Sequence, residues 1–375
     1  MKIGIDGSRA FLKQRTGIEE YSYQVIKHLR EKLKTSQVVL YLRKNQEVDF
    51  ELPENLPAGR QGWKIKIIKW PRFWTQIGLS FELFFHPVDV LFIPAHILPL
   101  YHPKKSIVTI HGLEFEVTKE AYSFWEKIYM HLSIKKSCFW ASKVIAVSKN
   151  TKEDLIEFYK VPEKKIEVIY EGVSTCHAEL VSASHKILKQ VQDDNAKYLL
   201  FIGRLEKRKN VEGIIEAYKI LKEKYNIPHS LVLVGSPGYG YESIKLKIEN
   251  CLKIENCKLK IIELGYIEEA VKWQLLHDAD VFLFPSFYEG FGLPILEAQV
   301  QGVPVVTSNV SSLPEIGGDS VAYCTPGEPI SIADSTYKIL SDENFRNGII
   351  KKGYENVKKF SWDKCAEEIA KLLIN

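Results

Sequence analysis

The chain has few cysteines and no arrangement of them that would build a site. Six of its 375 residues are cysteine (Cys138, Cys176, Cys251, Cys257, Cys324 and Cys365), and none forms a CxxC pair. That scatter excludes the usual zinc frameworks and a disulfide scaffold, so reduced thiols in a cytoplasmic protein are the expectation. There is no run of eighteen apolar residues, and a membrane-crossing helix is not expected. The opening MKIGIDGSRAF lacks the charged start, apolar core and cleavage site of a secretory signal, and reads instead as a first strand entering a glycine turn. A dense basic patch and a nucleic-acid reader motif are also missing, which removes nucleic acid from the partners. GSPGYG (235–240) lacks the G-x-G-x-x-G order and a suitably spaced acidic partner, which argues against a dinucleotide-dependent dehydrogenase.

What is present has the balance of a globular protein: 45% hydrophobic and 26% charged residues. The length suits two domains of ordinary size. The net charge of +4 is unevenly divided, since residues 1–175 carry 27 Lys and Arg against 20 Asp and Glu, and the rest carries 24 against 27. A basic first half suits an anionic membrane surface or a phosphorylated acceptor, although so small an excess is also what an ordinary solvated surface carries.

Strand and helix patterns alternate along the second half. KYLLFIG (197–203), SLVLVG (230–235), LKIIELG (259–265) and VFLFPS (281–286) read as strands. Helical patterns at 210–224, 241–250 and 268–278 separate them. Such alternation implies parallel βαβ units in a doubly wound sheet. The first half repeats the rhythm less cleanly, with strands at 2–7, 38–42, 64–69, 88–94, 106–112, 143–148 and 165–170. Helices are expected there over 17–33, 74–85, 121–140 and 149–159.

The densest chemical signal is PSFYEGFGLPILEAQVQGVPVV (285–306). Glu289 and Glu297 stand eight residues apart across a glycine-punctuated turn, between a short apolar strand and a helix carrying Pro294 in its first turn. Gly290 to Leu293 leave backbone N–H groups open at a helix N-terminus, where an anion docks. Two carboxylates beside such a site suit a ligand with both hydroxyls and phosphate, which describes a nucleotide sugar. GRLEKRKN (203–210) ends another strand, where Arg204 offers a bidentate fork and Lys209 a point charge that can converge on a diphosphate.

These strings resemble the retaining GT-B glycosyltransferases, in the large family of bacterial mannosyl-, glucosyl- and galactosyltransferases known as glycosyltransferase family 4, or glycosyl transferases group 1. The E-x7-E string with its flanks and the G-R-x(4)-K-N pattern carry the likeness, which covers nearly the whole chain outside 175–195. It implies an α/β chain with two Rossmann-like doubly wound domains facing across a cleft. Residues 1–172 would form the acceptor-side domain, 173–196 a linker and 197–359 the nucleotide-sugar domain. A last helix within 360–375 would cross back onto the first domain. By the same resemblance Glu289 binds hydroxyls of the donor sugar and Glu297 those of the ribose. Gly290, Phe291, Gly292 and Leu293 approach the sugar and phosphates through their backbone, and Arg204 and Lys209 stabilise the leaving diphosphate. RTGIEEY (15–21) matches a T-G-I-x-x-Y variant of mannosyltransferase-like members, with Gly17 where the diphosphate would approach. His111, in VTIHGLEF, matches a histidine that contacts the donor sugar near the reacting carbon, but Gly112 follows where the family often has aspartate.

Other features read as structural. Ser148 is expected to cap the helix that follows it. Asp278-Ala279-Asp280 is formally a DxD, but it falls between a helix end and a strand entry, so no metal and no cofactor beyond the co-substrate are expected. WPRFWTQIGLSFELFF (70–85) spaces Phe73, Ile77, Phe81 and Phe84 as one helical face, which favours a core-facing helix over a membrane-interface segment flanked by Lys64, Lys66, Lys69 and Arg72. Residues 175–195 look like a translated repeat dropped into a tolerant loop, and KIENCLKIENCK (247–258) like a local duplication. The expectation is a hexosyltransferase, with mannose from GDP-mannose as the donor. Its acceptor would be a glycan or lipid-linked hydroxyl in polysaccharide or glycolipid synthesis, with peripheral contact at the inner membrane face. A non-catalytic nucleotide-sugar-binding subunit, or an epimerase or hydrolase on the same fold, is the competing expectation.

Overall fold

In the computed structural model the described residues are 1–53, 62–118, 122, 124–174, 197–252 and 259–375. The loop 175–195, part of the 247–258 duplication, and Cys176 and Cys257 lie outside them. The chain divides into two units, Met1–Gly172 with Phe360–Asn375, and Val173–Lys359.

The first unit is built on strands β1 (Lys2–Asp6), β2 (Gln37–Arg43), β3 (Trp63–Ile68), β4 (Val90–Ile93), β5 (Lys105–Ile110), β6 (Lys143–Ala146) and β7 (Ile166–Val168). They pair parallel in the order β3-β2-β1-β4-β5-β6-β7. The second unit contains β8 (Tyr198–Ile202), β9 (Ser230–Val234), β10 (Ile261–Glu263), β11 (Val281–Phe284), β12 (Val305–Ser308) and β13 (Ala322–Cys324), ordered β10-β9-β8-β11-β12-β13 and again parallel. The central strands are apolar runs because helices cover both faces of such sheets, whereas the edge strand β3 alternates lysines with apolar residues and is largely exposed. In each unit the order reverses beside the first strand, between β1 and β4 and between β8 and β11. At such a reversal neighbouring crossovers run to opposite faces, and a crevice opens beyond the carboxyl ends of the strands.

Most expected elements form within a residue or two of their expected ends. The helix Glu114–Val117, the helices Leu313–Gly317, Pro329–Ser341 and Glu343–Val357, and β13 were not anticipated. Ser148 caps Lys149–Tyr159, accepting from the Thr151 N–H at 3.0 Å. The helix Trp362–Ile374 packs within the first unit. Trp362 stacks edge-on to Tyr21 at 5.9 Å, Lys32 pairs with Asp363 at 2.8 Å, and the Lys105 ammonium donates to the Leu373 carbonyl at 2.9 Å.

One expectation is overturned. The 70–85 segment is a π-helical turn, Trp74–Leu79, continued by the α-helix Ser80–Phe85. It buries Trp74, Gly78, Leu79 and Leu83, while Phe73, Ile77, Phe81 and Phe84 are exposed. The string is apolar on both faces, so periodicity alone cannot choose between registers. Gly78 decides: a Cβ there would lie 2.7 Å from Cβ of Trp70, so the small residue seats the inward face. The Trp74 indole donates to the Ile68 carbonyl at 3.1 Å and fixes that register.

Candidate active site

In the second unit the two strongest strings leave adjacent strands at the reversal point. Arg204 follows β8, and the Glu289 loop follows β11. Glu289 is buried between two cations. Its carboxylate accepts from the Lys209 ammonium at 2.5 Å and from Arg208 Nη1 at 3.2 Å. Burial alone would raise this carboxyl. Lys209 and Arg208 outweigh that effect and hold it below the ordinary carboxylate value, so Glu289 is an anion at neutral pH. Burial lowers the Lys209 ammonium from its ordinary range, and Glu289 opposes the shift.

Arg208 was not singled out in the sequence. It also donates to the Tyr288 carbonyl at 2.8 Å and to Glu206 at 2.8 Å, tying the β8 loop to the β11 loop. Its only sequence signal was its place inside the basic run 207–209. Asn210 does similar work, donating from one amide to the carbonyls of Pro285 and Pro326. Two serines that the sequence reading missed hold the glutamate loop from behind. The Glu289 N–H donates to Ser311 Oγ at 3.0 Å, and the Ser312 hydroxyl donates to the carbonyls of Glu289 and Phe291. Nothing near Ser311 or Ser312 marked them, because they arrive from the end of β12.

Arg204 lies at the edge of this network. Its side chain is 62% exposed, with Glu206 at 3.9 Å, and is therefore available to a ligand. Gly292, at φ 115, caps the helix Leu293–Val300. Phe291 is buried, and its carbonyl accepts from the Ser312 hydroxyl. Gly290 completes the turn. Glu297 lies one turn into that helix and pairs with Lys272 at 2.8 Å. A ribose diol at Glu297 would meet a carboxylate already fixed by a cation. The second carboxylate of the formal DxD, Asp280, is held by His229 at 3.2 Å and Arg346 at 3.5 Å.

In the first unit, Gly17 opens the helix Gly17–Lys32, and a Cβ there would meet open space. The N-cap Thr16 and Glu19 form a capping box in which Glu19 accepts from the Thr16 N–H at 3.2 Å. That donor is thus already satisfied by a carboxylate. His111 follows β5. Its Nε2 lies 2.9 Å from the Pro94 carbonyl and its Nδ1 3.4 Å from Glu171, and Tyr21 packs edge-on to its ring at 4.5 Å. His96, which follows β4, has its ring 5.4 Å from that of His111. Burial, with smaller effects from His111 and Arg9, pulls His96 down to about 3, so it is neutral at physiological pH. Gly112 adopts φ 140, a conformation that disfavours an aspartate side chain.

The comparisons with known proteins agree with this architecture. The model described as Glycosyl transferases group 1 matches residues 184–356, and that described as Glycosyltransferase Family 4 matches residues 15–176. The chain is 30% identical over 272 residues to O-antigen chain mannosyltransferase B of Escherichia coli, covering 71% of this chain and 69% of the relative. It is 35% identical over 270 residues to an uncharacterized glycosyltransferase of Methanocaldococcus jannaschii, covering 70% and 67%. Among solved structures it resembles WaaG, a glycosyltransferase involved in lipopolysaccharide biosynthesis, with a TM-score of 0.72 at 15% identity over the whole of both chains. It also resembles the Anabaena protein HepE solved with UDP and glucose, with a TM-score of 0.70 at 18% identity over 100% and 99%. With two parallel doubly wound units and relatives at these identities, the chain belongs to the family 4, group 1 glycosyltransferases of GT-B fold and is a hexosyl-transferring enzyme.

Proposed function

We propose that this enzyme transfers mannose from GDP-mannose, with retention of anomeric configuration, to a hydroxyl of a glycan or lipid-linked acceptor in polysaccharide or glycolipid synthesis. The observation that carries the reading is the Glu289 carboxylate, kept ionised by Lys209 and Arg208 beyond the paired strands β8 and β11, with the largely exposed Arg204 following β8. An anion fixed in this way accepts hydrogen bonds from sugar hydroxyls without reorganising. Arg204 and Lys209 supply positive charge for the diphosphate as it leaves. The choice of mannose follows the relatives named mannosyltransferases and the T-G-I-x-x-Y string at residues 16–21.

In the proposed reaction the bond from the anomeric carbon to the phosphate oxygen breaks. The acceptor oxygen bonds to that carbon on the same face, and its proton passes to the departing phosphate. No carboxylate of the chain serves as a nucleophile, and no metal is needed in this scheme, because side-chain cations neutralise the leaving group. Glu297 takes the ribose diol. In the second unit the backbone of Gly290 to Leu293 takes the phosphates and sugar.

A thermal-shift panel of GDP-, UDP- and dTDP-sugars, with and without EDTA, tests the donor on wild type and Arg204→Ala. A ligand that binds the folded state alone raises the melting temperature by mass action. The expected result is a shift with GDP-mannose that EDTA leaves intact and Arg204→Ala abolishes. A shift confined to another base reassigns the donor, and no shift with any donor refutes the site.

A further inference from the structure

The helix Phe124–Trp140 is apolar on the wrong side for a helix that faces water. At 100° per residue, Trp125, Ile128, Tyr129, Leu132 and Phe139 share one face with Lys135 and Lys136, within an arc of about 120°. All seven are exposed, Trp125 at 76% and Phe139 at 80%. The opposite face buries Ile134, Ser137 and Cys138 against the sheet. A surface helix of a water-soluble protein normally turns polar residues outward.

A second exposed apolar surface adjoins it. Trp70, Phe73, Ile77, Phe81, Phe84 and Phe85 project from the π-helical segment and its flanks. Phe81 meets Phe85 at 4.6 Å, Phe84 meets Phe85 at 5.1 Å and Tyr101 at 5.2 Å, and Trp70 lies 6.4 Å from Phe81. These rings make one patch rather than scattered exposures. Phe73 is held outward at φ 51, a backbone state that bulky residues rarely adopt. The loop 94–104 joins the two surfaces. The Tyr101 N–H donates to Ser80 Oγ at 3.1 Å and the Leu98 N–H to Ser137 Oγ at 2.9 Å, while the His102 ring lies 5.8 Å from that of Trp140.

We propose that this surface of the first unit docks in the plane of an anionic lipid bilayer, with the Phe124–Trp140 helix lying along the headgroup boundary. The occupant follows from the charges. Lys135 and Lys136 interrupt the apolar stripe, and Lys64, Lys69 and Arg72 are exposed beside the second patch, whereas Glu126 is the one carboxylate in the 124–140 helix. The cores of protein interfaces are depleted of lysine. A bilayer boundary accepts it, because the stem lies along apolar surface while the ammonium reaches the anionic headgroups. Trp, Tyr and Phe are the residues that settle at that depth. The inference uses no part of the donor site, so it survives or fails separately from the proposed donor.

Sedimentation of the full chain with phosphatidylcholine vesicles, with and without phosphatidylglycerol, tests it. Wild type should pellet only with the anionic vesicles and be released by salt. Lys135→Gln and Lys136→Gln should each weaken binding roughly fivefold. Trp125→Ser with Leu132→Ser and Phe139→Ser should weaken it by roughly a hundredfold or more, at an unchanged melting temperature. Should that triple variant not fold, Phe81→Ser with Phe84→Ser tests the second patch. In wild type a blue shift of tryptophan emission on vesicle addition, reduced in Trp125→Phe and lost in Trp70→Phe with Trp125→Phe, gives the same information. Wild type left in the supernatant with anionic vesicles, or variants that pellet as wild type does, overturns the proposal. So does a dimer in sedimentation velocity that these substitutions dissolve while no vesicle binding is seen, since the surface would then meet a second copy.

Discussion

At the scale of single residues the informative group is Glu289. Removing one member of a buried ion pair leaves the other charge without compensation, which costs far more than the pair itself contributes. Glu289→Gln strands Lys209 and Arg208, and should lower stability by about 3 kcal/mol in urea unfolding. The loss has a pH signature. Folding depresses the Glu289 carboxyl, so its contribution is complete above its unfolded value near 4.5 and fades as pH falls through the lower folded value. The gap between wild type and Glu289→Gln should therefore be constant from neutral pH down to about 5 and shrink below 4.5. A gap that widens in acid would show that Glu289 is protonated in the fold. The two glutamates, Arg204 and Lys209 were visible in the sequence because each sits in an unusual local string. Arg208, Glu171, His96, Ser311 and Ser312 were not. Their partners lie on other strands, and nothing local distinguishes an arginine that bridges Glu206 to Glu289 from one that faces solvent.

At the scale of elements, two glycines inside helices should respond oppositely to the same change. Gly213 sits at the start of the helix Val211–Tyr225, where a Cβ would fall 2.3 Å from the Asn210 amide oxygen. Asn210 cannot swing aside without giving up its bonds to the Pro285 and Pro326 carbonyls. Gly348, within Glu343–Val357, has nothing within 4 Å of such an atom. Gly348→Ala should stabilise by up to about 1 kcal/mol through helix propensity. Gly213→Ala should destabilise by about 1–3 kcal/mol through overpacking, and should weaken donor binding as well. Equal effects from the two would remove Asn210 as the tie between these loops. The same logic explains the 70–85 segment. Its pattern predicted a helix correctly but not which side faces in, because steric fit at Gly78 rather than hydrophobic spacing settles the register.

At the scale of the whole molecule, the chain leaves the first unit after Gly172 and re-enters it at Phe360. The two passages touch: a Cβ on Gly172 would lie 2.1 Å from the backbone nitrogen of Trp362. Because that neighbour is backbone, no rotamer change relieves the contact. Gly172→Ala should destabilise the first unit by about 1–3 kcal/mol, read as earlier proteolysis of residues 1–172 than in wild type. Removal of the Trp362–Ile374 helix should do more, since it uncovers the apolar surface that buries Trp362, Cys365, Ile369 and Leu373. Unchanged proteolysis in both would mean that the C-terminal helix is dispensable to the first unit.

The sequence alone determined the alternating parallel units, the position of the carboxylate and basic strings at strand ends, and the family. All of these are written in local periodicity and short contiguous motifs, which depend on neighbours within a turn or two. Only the tertiary structure decided that Glu289 is a buried anion between Lys209 and Arg208, that β8 and β11 meet where the strand order reverses, and that the aromatic faces of the first unit point outward. Those outcomes depend on which distant residues become neighbours, and on steric fit at single positions such as Gly78 and Gly172. Neither leaves a trace in the spacing of residues along the chain.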